Sequence, residues 1–267
     1  MAPFRLELIR RRRIGDPGLG LNEPSGLTLN ADGTGLYTVS DDTKAVFCMD
    51  LHGHVLINES FFVSVEDLEG IAISADGDQL LAVQEETNSL ITIDIATRRE
   101  LHRRPLAAMH NYATIAKHFP ETPNNKGLEG ITVNTRNRHV FVVKEGQPGL
   151  LIELDAGCST ILSARLLTKA NGFTHPTVGP DKLDFSGLSY DSHRDTLWIA
   201  SDKGKCLFHY DWNGDAVLQR LDLVISDDTK PKRIRKAEGL AVDPVQGKVY
   251  VVSDRDACLY VFKLHDQ

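Results

Sequence analysis

The stretch EDLEGIAIS, residues 66–74, places two carboxylates directly before a short run of alternating apolar residues. Carboxylates are poor strand formers, so acids at the start of a strand need a reason beyond local propensity. Related phrases recur with the same glycine before an apolar run: EPSGLTLN (23–30), GLEGITVN (127–134), DFSGLSYD (184–191) and KAEGLAVD (236–243). Their glycines are 44 to 60 residues apart, and this regular recurrence predicts a repeat protein.

Each repeat contains further strands after the glycine phrase. Period-2 runs rich in β-branched and aromatic residues follow it, such as LYTVS (36–40) and then AVFCMD (45–50) in the first repeat. A fourth, more polar strand closes the first four repeats, for example HVLINESF (54–61) and AVLQRLDLV (216–224). Four strands per repeat at this spacing are typical of the blade of a β-propeller.

The two ends of the chain complete one repeat between them. The fifth repeat stops after its third strand, at LYVFKLHDQ (259–267), while residues 4–12 form a strand that belongs to no repeat. Pairing these two strands would close the ring and remove two exposed sheet edges. We therefore predict an all-β fold, in which residues 1–267 form a single five-bladed β-propeller domain and residues 4–12 are the outer strand of the last blade.

The bulk composition narrows the classes of function. The 267 residues are 41% hydrophobic and 25% charged, and their net charge of −7 disfavours nucleic acid as the main partner. No apolar run is long enough to span a membrane, and the N-terminus lacks the apolar core of a secretory signal. Four dispersed cysteines contain no C-x-x-C pair. We therefore expect a cytoplasmic protein with free, buried thiols and no membrane span.

The recurring acids are expected to meet at one end of the propeller channel. The first strand of each blade is innermost, so its first residues lie at a channel mouth, and the second strand returns to that mouth. The acids one or three residues before each glycine are Glu69, Glu129, Glu238, Glu23, Asp67 and Asp184. The acids fifteen residues after each glycine are Asp41, Glu85, Glu145, Asp202 and Asp254. About ten carboxylates would thus surround one opening.

So many like charges need a positive partner. One possibility is that nearby lysines and arginines form ion pairs with the acids, and that some carboxylates accept hydrogen bonds from backbone N–H groups of the next blade. We expect this arrangement for the five acids that follow the glycines by fifteen residues. The other is a hard divalent cation held by the inner acids. Calcium takes six to eight oxygen ligands, which such a ring supplies, and magnesium or manganese remain alternatives.

Two long segments precede inner strands and are expected to overhang the acidic mouth. They are residues 106–126 and residues 168–182, and they carry His110, His118 and His175. A histidine near a bound cation could act as a general base at neutral pH. The alternative is that these are inert loop histidines.

The phrases LEGIAIS, LEGITVN, FSGLSYD and EGLAVDP, with their following strands, resemble the SdiA-regulated (YjiK-like) β-propeller family over about residues 20–264. The resemblance implies a cation, calcium, held at the mouth by the glutamates of the E-G phrases, which here are Glu69, Glu129 and Glu238. Serine replaces this glutamate in the first and fourth repeats, which leaves Glu23 and Asp184 as substitutes.

Two functions remain open from the sequence. The first is a metal-dependent hydrolase or lyase that acts on a small polar or anionic substrate at the mouth. The second is a non-catalytic propeller that binds a small ligand or a protein, with a structural cation. The two histidine-bearing segments favour the enzyme slightly.

Overall fold

The computed structural model describes residues 3–120, 126–225 and 231–266. In this part of the chain, twenty strands form five antiparallel sheets of four strands each. Blades one and two contain β2 (Pro24–Leu29), β3 (Gly35–Ser40), β4 (Ala45–Asp50) and β5 (Phe61–Phe62), then β6 (Leu68–Ile73), β7 (Gln79–Gln84), β8 (Ser89–Asp94) and β9 (Arg99–Pro105). Blades three and four contain β10 (Leu128–Val133), β11 (Val140–Lys144), β12 (Leu150–Leu154) and β13 (Ile161–Leu166), then β14 (Leu188–Asp191), β15 (Thr196–Ser201), β16 (Cys206–Asp211) and β17 (Ala216–Asp222). Blade five contains β18 (Ala237–Asp243), β19 (Lys248–Ser253), β20 (Cys258–Asp266) and β1 (Phe4–Arg13).

The five sheets are arranged as a ring. The first strands of the blades, β2, β6, β10, β14 and β18, each contact the first strand of the next blade, and β18 contacts β2. Apolar side chains fill the space between neighbouring blades, as where Ile131 and Val133 of blade three pack with Ala72 and Leu81 of blade two. The predicted five-bladed propeller is confirmed.

The N-terminal strand closes the ring as predicted. Strand β1 pairs antiparallel with β20, from Phe4 opposite Asp266 to Arg13 opposite Cys258. The ring of Phe4 packs against Trp198 and His209 of blade four, with centroids 5.5 Å and 5.2 Å away. Its backbone N–H donates to Gln219 Oε1 over 2.7 Å, and Gln219 Nε2 donates back to its carbonyl over 2.8 Å. The same strand therefore completes blade five and attaches it to blade four.

The outer edge of blade one differs from the prediction. Residues 54–61 were expected to form a full fourth strand, but only Phe61–Phe62 pair as β5, opposite Val46 and Ala45. Single hydrogen bonds join the rest of the loop to β4. The N–H of Leu56 donates to the carbonyl of Cys48, and Ser60 Oγ accepts from the N–H of Cys48. The predicted outer strand of blade four, in contrast, is present as β17.

The two long segments form short 3-10 turns. The first contains Leu106–Ala108, Tyr112–Thr114 and Ala116–His118, and its residues 121–125 lie outside the described residues. The second contains Lys169–Asn171 and Pro180–Lys182. Among the described residues no helix is long and apolar enough to cross a bilayer. All four cysteines are buried and unpaired.

The recurring glycines are the points where the blades approach one another most closely. A Cβ added at Gly130 would come within 2.4 Å of the carbonyl oxygen of Ser186, and one at Gly187 within 2.5 Å of the carbonyl oxygen of Glu238. Equivalent contacts join the other three glycines to the next blade, so the approach runs around the whole ring: Gly26, Gly70 and Gly239. Any side chain at these positions would push two blades apart. This contact explains why glycine recurs in every repeat.

We expect Gly130→Ala to lower the free energy of unfolding by several kcal/mol, because the new methyl group meets backbone that cannot move without shifting a blade. Gly179→Ala is the matched control, since a Cβ there meets no atom within 4 Å. Urea unfolding of both variants measures the difference. Equal midpoints would show that the inner contacts between blades are not tight.

We expect Phe4→Ala to lower the free energy of unfolding by about 3 kcal/mol, because it removes a buried aromatic side chain from the closure between blades four and five. Ile9→Ala lies on the same strand at a side chain that is 49% exposed, and it should change stability by less than about 1 kcal/mol. Thermal unfolding followed by circular dichroism separates the two. A Phe4→Ala protein that melts like the parent would contradict the closure role.

Candidate functional site

The acidic mouth predicted from the sequence is a cavity at one end of the channel. Its volume is about 190 Å³. Seven carboxylates line it together with one hydroxyl and one ammonium group: Asp41, Glu69, Glu85, Glu129, Glu145, Glu238, Asp254, Ser25 and Lys236. Blades one, two, three and five contribute these acids, so the mouth combines residues that are distant in sequence.

The three inner glutamates project into the mouth from irregular points in their strands. The pairing of β6 with β7 shifts register between Leu68 and Gly70, at Glu69. The same shift occurs at Glu129 in blade three, and blade five has one in the segment that contains Glu238. Such a bulge bends the strand and redirects a side chain. The glutamates can therefore face the opening while their neighbours pack between blades.

Five of the acids form two clusters that share one residue. Single oxygens of Glu85, Glu129 and Glu145 lie within 4.8 Å of one another, and so do those of Asp67, Glu69 and Glu85. Both clusters belong to blades two and three. The sequence predicted Glu69 and Glu129 as inner ligands and Glu85 and Glu145 as supporting groups, whereas the geometry places Glu129 with Glu85 and Glu145 and places Glu69 with Asp67 and Glu85.

Burial and mutual repulsion make these carboxylates hard to ionise. Burial, followed by the charges of Asp41 and Glu238, raises the pKa of Glu69 to about 9. Burial, followed by the charge of Asp202, raises the pKa of Glu238 to about 8 against the opposing effect of Lys236. The pKa of Glu129 is raised well above its ordinary value for the same two reasons, burial first and neighbouring glutamates second. A positive charge in the cavity would relieve this repulsion.

Two of the five acids that follow the glycines by fifteen residues accept hydrogen bonds from the neighbouring blade. Glu85 Oε1 accepts from the N–H of Gly127 over 2.8 Å, and Asp202 Oδ1 accepts from the N–H of Lys236 over 2.6 Å. Glu145 forms an ion pair with Lys126, whose Nζ lies 3.2 Å from Oε2. These contacts fix the carboxylates at the blade junctions.

The proposed substitutes Glu23 and Asp184 lie outside the cavity lining. Glu23 is exposed. Asp184 is buried, and its Oδ1 accepts from Ser201 Oγ and from the N–H of Lys203, each over 2.9 Å. The geometry therefore gives blade four a structural carboxylate at this position. No residue of blade four lines the cavity.

None of the three predicted histidines lines the acidic cavity. The backbone of His110 bonds to Ser159 and Ile161, at the end of blade three opposite to Glu129. His175 Nδ1 accepts from the N–H groups of Thr177 and Val178, within its own loop. Of the three, His118 is the one affected by a residue at the mouth end of a strand, Lys144 of β11. Burial first, and then the charges of Lys117 and Lys144, lower the pKa of His118.

The only cation among the lining residues is Lys236, and it sits on the blade-five side. Its Nζ forms a very short contact with Asp254 Oδ2. The ammonium group thus neutralises acids of blade five, while no lining cation faces the clusters of blades two and three. Lys126 pairs with Glu145 from outside the lining, so the side of blades two and three is only partly neutralised.

The partly neutralised side has the chemistry of a site for a hard cation. Every lining group there offers oxygen and none offers nitrogen or sulfur, which suits calcium, magnesium or manganese better than zinc. In addition, Asp41 Oδ1 is buried without a hydrogen-bond partner, and burial raises the pKa of this carboxyl to about 6. A buried polar atom without a partner is rare and calls for an unseen ion or water. The residues therefore fit a bound divalent cation.

The ring of blades and the acidic mouth define a β-propeller with a candidate cation site at one end of its channel. A family model described as SdiA-regulated matches residues 15–263, so the chain belongs to the SdiA-regulated family. The resemblance seen in the sequence is confirmed over nearly the whole chain.

Three solved structures show the same fold. Myxococcus xanthus glutaminyl cyclase has a TM-score of 0.64 at 13% identity, with 97% of this chain and 96% of that chain covered. The hydrazine synthase of Kuenenia stuttgartiensis has a TM-score of 0.52 at 14% identity, with 91% and 72% covered. The β-propeller domain of Cps50 (Swd1) from Myceliophteria thermophila has a TM-score of 0.53 at 10% identity, with 97% and 99% covered. At these identities the likeness concerns the fold alone.

We expect Lys236→Met to destabilise the cation-free protein by about 1–2 kcal/mol, because Asp254 and Glu238 would then be buried without a positive partner. Lys203→Met is the matched control: Lys203 has a similarly half-exposed side chain, and it pairs with Asp184 outside the cavity. Melting temperatures in excess chelator compare the two. An equal drop for both variants would contradict the special position of Lys236.

Proposed function

We propose that this propeller binds a divalent cation, calcium, at its acidic mouth and uses that site to recognise a small polar or anionic ligand. The observation that carries the proposal is the pair of carboxylate clusters that share Glu85, in which Lys126 forms an ion pair only with Glu145. Calcium accepts a flexible shell of carboxylates and water, which matches long glutamate side chains around an open mouth. The unpartnered oxygen of Asp41 supports the same reading.

The proposed ligands lie to one side of the channel axis. Glu85, Glu129 and Glu145 would hold the ion, because their oxygens form one cluster, and Glu85 also joins them to the adjoining cluster of Asp67 and Glu69. Glu238 would contribute charge from the opposite side, where Lys236 already offsets part of it. This set replaces Glu23 and Asp184 with Glu85 and Glu145.

Ligand recognition without catalysis fits the geometry better than an enzyme does. The catalytic hypothesis relied on His110, His118 and His175, and none of them lines the cavity. When bound, calcium would polarise a carbonyl or phosphoryl oxygen, so a metal-dependent hydrolase or lyase stays the second candidate. One structural neighbour is named as a glutaminyl cyclase, which gives an example of an enzyme with a similar fold. Turnover of small polar or anionic substrates that stops on addition of chelator would favour the enzyme.

A cytoplasmic location is part of this proposal. Its support is the four buried, unpaired thiols, since reducing compartments keep cysteines in this state. Titration of the denatured, non-reduced protein should find four reactive thiols.

We expect calcium to raise the melting temperature of protein that has been stripped with a chelator. By mass action, calcium at about 100 times its Kd stabilises the folded state by about 2.7 kcal/mol. Glu129→Gln should raise the calcium concentration needed for this response at least ten-fold, because it removes one charge from the cluster with Glu85 and Glu145 while keeping the side-chain shape. Scanning fluorimetry with calcium, magnesium or manganese measures the response.

Glu59→Gln is the control, because it makes the same change at an exposed residue of blade one and should leave the calcium response intact. Titration calorimetry provides the independent reading. No heat of calcium binding to the stripped protein, together with no thermal shift, would overturn the proposal. The acids would then be balanced by lysines and by protons alone.

A further inference from the structure

The other end of the channel holds a second and larger cavity. Its volume is about 540 Å³, within the range of small-molecule sites. The ends of the inner strands and the turns that follow them form its walls in all five blades, for example residues 27–33 of blade one and 240–246 of blade five. We call this cavity the turn-side funnel. None of the predicted acids lines it.

The ring of glycines separates the funnel from the acidic mouth. Between them the channel narrows to a space of about 10 Å³, lined by the five inner glycines and their neighbours. A single water molecule needs about this much room. An organic molecule in the funnel therefore cannot reach the proposed cation site, and the two ends of the channel can bind independently.

Two buried hydroxyl groups in the funnel have protons without a protein acceptor. Thr132 Oγ1 accepts from the N–H of Tyr190 over 3.0 Å, and Ser189 Oγ accepts from the N–H of Val242 over 3.0 Å. Both residues are at most 9% exposed and both line the cavity. Neither hydroxyl donates to any described residue, so each offers a donor fixed in place by a bond to the next blade.

A buried carboxylate supplies the complementary acceptor. Asp243 is 5% exposed and lines the funnel, and its Oδ1 accepts from the N–H groups of Val245 and Gln246, over 3.0 Å and 2.9 Å. Its Oδ2 accepts no hydrogen bond from the described residues. The funnel therefore combines two unused hydroxyl donors with an unused carboxylate oxygen that is accessible from the cavity.

The charge of the walls selects the class of ligand. Among the described residues no lysine, arginine or histidine lines the funnel, while three aspartates do: Asp32, Asp243 and Asp76, which pairs with Arg138. An anion would therefore be repelled. An ammonium group would satisfy Asp243 but offers no acceptor to Thr132 and Ser189. A hydroxyl group both donates and accepts, so it matches all three. At the rim, Val245 is 79% exposed and offers an apolar surface to C–H groups.

We propose that the turn-side funnel is a binding site for a neutral polyol of the size of a mono- or disaccharide. Its hydroxyl groups would accept from Thr132 and Ser189 and donate to Asp243, while Val245 contacts its C–H face. This site is independent of calcium.

Saturation-transfer NMR with glucose and maltose tests the proposal on the full chain in excess chelator, which keeps the acidic mouth free of added cation. We expect both sugars to bind, glucose 6-phosphate not to compete, and glucosamine to bind no more tightly than glucose. Asp243→Asn keeps an Oδ1 acceptor for the turn, so the fold should persist while the Kd of maltose rises at least ten-fold. Asp94→Asn makes the same change in a turn outside the funnel and should leave the Kd unchanged.

Two further variants locate the hydroxyl contact. Thr132→Ser keeps the oxygen and should retain binding, whereas Thr132→Val should weaken it. Glu129→Gln at the acidic mouth should have no effect on sugar binding, which distinguishes this site from the proposed cation site. Each of four outcomes would overturn the proposal. They are no saturation transfer to either sugar, competition by glucose 6-phosphate equal to that of glucose, tighter binding of glucosamine than of glucose, and an unchanged Kd of maltose in Asp243→Asn.

Discussion

The contact on which the whole molecule depends is the approach of each inner strand to the backbone of the next blade. At five recurring glycines the separation leaves no room for a Cβ, with the closest contact between Gly130 and the carbonyl oxygen of Ser186. Because each blade contacts the next at these glycines, they set the distance between blades, and the channel is narrow where they line it. Closure by β1 and β20 then completes the last blade, and Phe4 anchors it to blade four. The structure is therefore a closed set of mutually dependent sheets.

This close packing also determines how the acids behave. The glutamates lie one residue before the glycines. The close approach of the blades at the glycines narrows the channel and also brings glutamate side chains from different blades together. Burial and mutual repulsion raise their pKa values, to about 9 for Glu69 and about 8 for Glu238. Lys236 pairs with Asp254 in the cavity wall of blade five, whereas Lys126 pairs with Glu145 from outside the lining on blade three. A nearly regular repeat thus produces an asymmetric electrostatic site.

The narrow section of the channel separates two different chemical environments. One end is rich in carboxylates and suits a hard cation. The other end has short polar side chains, unused hydroxyl donors and no lining cation, which suits a neutral polar molecule. Because the space between them is about 10 Å³, ligands at the two ends would not meet. The two ends of the five inner strands therefore offer separate sites for different kinds of ligand.

The sequence by itself determined the repeat, the number of blades, the N-terminal closure and the gathering of acids at one mouth. The repeat, the blade count and the mouth follow from periodicity and from the antiparallel course of each blade, and the closure follows from the strand that the fifth repeat lacks. It was less accurate for blade one, where side chains of the 54–61 loop bond to β4 and only Phe61–Phe62 pair as a strand. Nor could it locate the histidines, because the position of a loop residue depends on contacts such as that of His110 with Ser159.

Only the tertiary structure decided which acids are neighbours. Glu85 and Glu145 follow their glycines by fifteen residues and were predicted at the same mouth only as supporting groups, yet their oxygens lie within 4.8 Å of one of Glu129. Asp184 looked equivalent to the mouth acids but bonds to Ser201 and Lys203 instead. The physical reason is that a bulge, a blade junction and one lysine direct each side chain, and these depend on residues from other blades. Sequence spacing places an acid at the mouth, whereas contacts between blades decide what it faces.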